Sequence, residues 1–230
     1  MSAVSSFLDI LATGPKDAEC VFNPWRDHDE RDADPRKAMP AHRLENMGAY
    51  LEARTQSARV LLLGEAPSHR GCRFTGIAFC SEVELLHKRD LVAQRPLQLT
   101  SAVAKDKPMR ERSAAIIWDE MDRAGCARQV VLWNAFPWHP YLAQSEAPGP
   151  SGPSSNRRPK RTEVVQGRPA LEALLSCFTH KLLIYAVGKV AEELLRDWDE
   201  TRCAGYVRHP SMGGESKFRS QFQGQIVAHL

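Results

Sequence analysis

The chain has 230 residues, with 43% apolar and 26% charged, and a formal net charge of +3. That length holds one sizeable α/β domain and is short for two. The small positive charge permits a nucleic-acid partner without requiring one, and no apolar run is long enough to span a bilayer, so no membrane partner is expected.

The opening stretch MSAVSSFLDILATG lacks a basic start and carries Asp9 inside its apolar part, which predicts a short helix rather than a signal peptide. Phe22 to Arg43 is polar, proline-bearing and rich in both charge signs, and reads as an ordered surface segment or a linker. Next, AHRLENMGAYLEART places Leu44, Met47, Tyr50 and Leu51 on one helical face. ARVLLLG is the first clear strand; its unbroken apolar run predicts cover on both faces, as in a parallel sheet. Helices are predicted around Glu82 to Asp90 and over Met109 to Gly125, followed by a strand at Val130 to Trp133.

Ser145 to Arg161 is rich in Gly, Pro and Ser, ends in cationic residues, and is expected to be mobile. A helix over Arg161 to Phe178 contains Gly167 and Pro169, which weaken its continuity. A third strand follows at Leu182 to Val187, then a tight turn at Gly188 and a helix through Ala191, Leu194 and Leu195. A weaker fourth strand lies near Gly205 to Arg208. Strands alternating with helices predict a three-layer α/β/α sandwich around a four-stranded parallel sheet, one domain over residues 1–230.

The six cysteines, at 20, 72, 80, 126, 177 and 203, form neither a CxxC pair nor a cluster with metal-ligand spacing. They read as reduced thiols of a cytoplasmic protein, with no metal and no cofactor expected.

In an open parallel sheet, ligands sit beyond the carboxyl ends of the strands. Three of those ends carry Glu65, Asn134 and His209, an acid, an amide and an imidazole that would share one crevice. Around them stand GEAPSHRGCRFTGIAF, VVLWN and HPSMGG, with YAVGKVAEELL before the last. In this order the segments resemble the signatures of the uracil-DNA glycosylase superfamily, from about Val60 to Phe222: a Gly-acid/Gln-x-Pro loop, a Gly-x-x-Phe, an apolar strand ending in Asn, and a late His-Pro-Ser loop.

The resemblance implies a glycosylase that extrudes its target base from uracil-containing or deaminated DNA and acts as a monomer. Glu65 would position or deprotonate the attacking water, and His209 would donate to the carbonyl oxygen that gains charge as the base leaves. Phe79 would stack on the base, with Phe74 the alternative stacker, Asn134 would read the base edge, and Ala66 would lie beside the base. Pro67, Ser68, Arg70, Arg73, Ser211, Lys217 and Arg219 would face DNA. Met212 would be a wedge in the gap left by the extruded base, or else the tip of a capped helix start.

The sequence also departs from the family. SHRGCRFT, with Arg70 and Arg73, stands where common branches are acidic or carry Tyr-His, which leaves the preferred base open. The iron–sulphur branches need paired N-terminal cysteines, and Cys20 stands alone, so no cluster is expected. A protein of the same fold that binds damaged or single-stranded sites with little turnover is the alternative. A nucleotide hydrolase is a third reading, weakened because the first turn has no phosphate-cradling fingerprint.

Overall fold

A computed structural model describes residues 2–15, 18–34, 38–103, 106–146, 149, 152–198 and 203–230. In chain order the elements are α1 (Ala3–Thr13), β1 (Val21–Phe22), α2 (Met39–Glu52), β2 (Val60–Gly64), α3 (Cys72–Thr75), α4 (Glu82–His87), α5 (Arg89–Val92), α6 (Arg112–Arg123), β3 (Val130–Asn134), β4 (His139–Pro140), α7 (Arg161–Ser176), β5 (Leu183–Val187), α8 (Lys189–Trp198), β6 (Cys203–Val207) and α9 (Glu215–Gln221).

The order β3-β2-β5-β6 makes a four-stranded parallel sheet, and β1 pairs antiparallel with β4 in a separate ribbon. All five residues of β2 are buried, as are all five of β3, which fits strands covered on both faces. The helices form two groups with the sheet between them. One packs α1 on α7 and α2; the other packs α6 on α4 and α9. The predicted three-layer α/β/α sandwich is the observed fold.

Strand β3 is an edge, and α2 blunts it. The Tyr50 hydroxyl accepts from the Leu132 N–H at 2.7 Å, and Arg54 Nε donates to the Val130 carbonyl at 3.0 Å. Exposed edges invite pairing with other chains, so this cover has a physical reason. Arg54 is fully buried without a carboxylate; it also donates to the carbonyls of Tyr50, Leu91, Val92 and Ala127.

The polar segment after Phe22 exposes Arg26, His28, Glu30 and Arg31 at the surface but turns other polar side chains inward. Asp29 and Asp32 are buried and pair with Arg73 and Arg43, both also buried. Asn23 Nδ2 donates to the Leu11 carbonyl, and Trp25 Nε1 to the Gly76 carbonyl at 3.2 Å. A buried ion pair adds little net stability when whole, but loss of one partner strands a charge at a cost of about 3–5 kcal/mol. The segment therefore braces the loop that follows β2.

The Ser145 to Arg161 stretch differs from the expectation in its second half. Residues 147–148 and 150–151 lie outside the described residues. Beyond them, the Ser155 hydroxyl accepts from the Leu142 N–H, and Arg157 holds Glu163 through both carboxylate oxygens while donating to the Tyr141 carbonyl. Helix α7 runs through Gly167 and Pro169 without a break. Among the described residues no helix is long and apolar enough to cross a membrane, all six cysteines are free thiols, and no group of three His, Cys, Asp or Glu is placed to hold a metal.

Candidate active site

The parallel register sets Gly64, the last residue of β2, directly opposite Asn134, the last of β3. The strands stay joined past their ends: the Ala135 N–H donates to the Gly64 carbonyl at 2.8 Å and the Phe136 N–H to the Glu65 carbonyl at 3.0 Å. Glu65 and Asn134 are thus fixed side by side by backbone bonds alone.

Gly64 has to lack a side chain. A Cβ there would lie 2.1 Å from Phe79 Cζ and 2.9 Å from Asn134 Oδ1. The bare Cα lets the ring and the amide meet at the sheet edge. Phe79 adopts a left-handed backbone, φ 49°, which a bulky residue avoids unless its surroundings enforce it. Trp118 Nε1 donates to the Phe79 carbonyl at 2.8 Å and holds that conformation. Asn134 is buried and its Oδ1 has no hydrogen-bond partner. A buried acceptor left unpaired costs about 1–3 kcal/mol, so it points to a ligand group that completes it.

His209 comes from the loop after β6. Its ring centroid lies 5.9 Å from that of Phe79, tilted by 41°. Gly188, at φ +88°, turns the chain from β5 into α8; a Cβ there would lie 3.3 Å from the His209 Cβ. Burial, with Arg208 nearby, lowers the His209 pKa to about 4, so the ring is neutral at pH 7. The Ser211 N–H donates to Nδ1 at 3.2 Å, and the Ser211 hydroxyl lies 2.8 Å from the same atom. Nδ1 is therefore an acceptor, and the single ring proton sits on Nε2, ready to donate.

Glu65 and His209 line one open cleft of about 710 Å³, with Ala66, Pro67, Val187 and Met212. Partial burial raises the Glu65 pKa, Arg158 works against that rise, and Glu193 adds to it. Phe79 and Asn134 are not among the side chains that line the cleft: both are buried beside Gly64, and Phe79 adjoins it through the ring of His209. Met212 stands out from the rim at 94% exposure in a left-handed conformation, φ 50°. Lys217 is exposed on α9. An adjoining groove of about 600 Å³ shares Ser68 and Asn156 with the cleft and carries Arg70, Arg110 and Arg112.

Three expected residues are placed otherwise. Phe74 is fully buried, with the Arg73 guanidinium 4.9 Å from its ring centre, and packs as a core residue that does not line the cleft. Arg73 is buried and spent on Asp29 and the Pro153 carbonyl, so it cannot meet DNA phosphates. Arg219 is drawn to Glu120 and Glu215, which neutralise it.

Sequence reading also missed supporting residues. Asn156 Oδ1 accepts from the His69 N–H at 2.8 Å, fixing the loop after Glu65. The Glu111 carboxyl packs against Gly71 and bonds Ser68, and burial pushes its pKa to about 7. The only sequence signal for Asn156 is its place beside Arg157 at the end of a Gly/Pro/Ser-rich stretch.

The family model described as the uracil DNA glycosylase superfamily matches residues 52–230. Among solved structures, the chain is similar to wild-type SMUG2 of Pedobacter heparinus with a TM-score of 0.68 and 13% identity, over 99% of this chain and 96% of that one. That likeness is one of fold. A search of curated proteins gives no match. The family model spans the sheet, the Glu65 loop, Asn134 and the His209 loop, and the chain belongs to the uracil DNA glycosylase superfamily.

Proposed function

We propose that this chain is a DNA glycosylase that hydrolyses the N-glycosidic bond of uracil, or of a related deaminated base, and leaves an abasic site in an uncut strand. The observation that carries the reading is the buried, unpartnered Asn134 Oδ1 beside the Phe79 ring. An extruded uracil offers an N–H to Oδ1 and an adjacent carbonyl to Nδ2. Cytosine presents a lone pair where Oδ1 needs a donor, and leaves two acceptors facing each other in a dry site.

The chemistry follows from the neighbours. A stacked base is out of reach, so the nucleotide turns out into the pocket, and Met212, exposed on its glycine-flanked tip, suits the vacated stack. Phe79 grips the base face without selecting among bases. As the C1′–N bond breaks, negative charge builds on the base carbonyl, and the neutral His209 Nε2–H donates to it. Ionised Glu65 orients the water, steadies the cationic sugar and takes the water proton as oxygen bonds to C1′. Lys189 lines the cleft from the start of α8; the reading gives the attack on C1′ to water rather than to an amine, so hydrolysis ends at the abasic site.

The test is a panel of duplexes and single strands carrying uracil, hypoxanthine or xanthine, cleaved by alkali after incubation with excess protein. The expected result is an alkali-labile site at uracil that Asn134→Ala slows by about tenfold to a hundredfold, the worth of one or two buried hydrogen bonds. No labile site on any lesion, with lesion binding retained, would establish the alternative of a damage-binding protein without turnover.

A further inference from the structure

His139 has no part in the chemistry proposed above, yet it is fully buried beside it, in β4. Its Nδ1 lies 3.0 Å from the Pro67 carbonyl oxygen, two residues past Glu65. Its Nε2 lies 3.1 Å from the Pro153 carbonyl oxygen. Arg73 already donates to that second carbonyl from its ion pair with Asp29. Burial lowers the His139 pKa to about 4, so at pH 7 the ring is neutral with one proton to give, and the Pro153 oxygen has a donor without it. The proton is therefore used best on Nδ1, toward Pro67.

The same short segment carries a second anchor. Asn156, three residues beyond Pro153, accepts from the His69 N–H, two residues beyond Pro67. The loop after Glu65 is thus held on either side of Ser68, at Pro67 by His139 and at His69 by Asn156 of the 153–156 segment. That segment is in turn tied through Arg73 to Asp29, in a part of the chain that precedes the family match at residue 52.

We propose that His139 is a positioning residue: its Nδ1–H holds the Pro67 carbonyl, and so fixes the Glu65 carboxylate in line for water attack. This rests on the reading of Glu65 given under Proposed function. A shift of about 1 Å in a reacting group is enough to cost on the order of a hundredfold in rate, so one backbone anchor two residues away matters.

Two substitutions separate the ring's two contacts. His139→Asn keeps an N–H near the Nδ1 position, and His139→Gln keeps one near the Nε2 position. The first readout needs no turnover: amide hydrogen exchange over residues 65–71. His139→Asn is expected within about threefold of wild type, and His139→Gln at least about tenfold faster, though both lower the melting temperature to a similar degree. The second is single-turnover excision of uracil. The expected loss is about tenfold or more in rate for His139→Gln with substrate affinity kept, and little loss for His139→Asn.

Equal exchange, or equal rates, in the two variants would overturn the proposal. If both variants fail to fold, the ring nitrogens of wild-type His139 are read by 15N NMR; a proton on Nε2 alone overturns it, and one on Nδ1 supports it. A wild type that excises nothing defeats the reading of the site, while the exchange comparison still decides whether His139 holds the loop.

Discussion

Replacing Glu65 by Gln lowers single-turnover excision by about 10²- to 10⁴-fold, the usual worth of a positioned acid or base, while affinity for uracil-containing DNA stays within a few-fold. The two effects part because the amide fills the same space and still orients water, but accepts no proton and lends no negative charge to the sugar. The pH profile carries the same information. The working form is the carboxylate, and burial holds its pKa above the ordinary value, with Arg158 opposing and Glu193 adding. Activity therefore declines on the acid side at a higher pH than an ordinary glutamate would give, and is restored as pH rises through that shifted value. Rates measured across the acid limb check this. An unchanged rate in the variant would remove Glu65 from the attack on the sugar.

Replacing His209 by Ala lowers the rate by about 10²- to 10³-fold, the cost of removing one preorganised donor from a developing anion. The loss falls on the chemical step. It is flat with pH in the neutral range, because the folded ring takes its proton only near pH 4 and is already neutral at pH 7. A protonated-imidazole mechanism would instead give a rate that falls as pH rises through neutrality. The same depressed pKa acts on stability. An unfolded histidine binds a proton near its model value of 6.5, the folded one near 4, so this contribution is whole above 6.5 and is lost as pH falls through that window. The acid-side decline in melting temperature is accordingly shallower in His209→Ala than in wild type.

Much of this site could be read from the chain because its parts are local to strand ends. VLLLG and VVLWN are apolar without alternation, which fixes a parallel sheet, and a parallel sheet puts Glu65 and Asn134 on one edge. The turn at Gly188 and the His209 loop follow by the same reasoning. The parts that stayed hidden depend on partners far away in sequence. Arg73 looks like a surface cation until Asp29, 44 residues earlier, is seen to bury it. The Gly-x-x-Phe spacing favours Phe79 over Phe74 in the sequence itself; the left-handed turn at Phe79 and the close approach of its ring to Gly64 are what the letters do not carry. Asn156 and His139 bind the loop through backbone atoms, an N–H of His69 and a carbonyl of Pro67, and backbone groups leave no mark in a sequence.

The most direct test of convergence is a crystal structure of Glu65→Gln bound to a duplex with one uracil. The account predicts the base outside the helix, Phe79 on its face, the Asn134 amide along its edge, His209 Nε2 at a carbonyl oxygen and Met212 in the emptied stack. A uracil left paired and stacked, or seated away from Gly64, would contradict it.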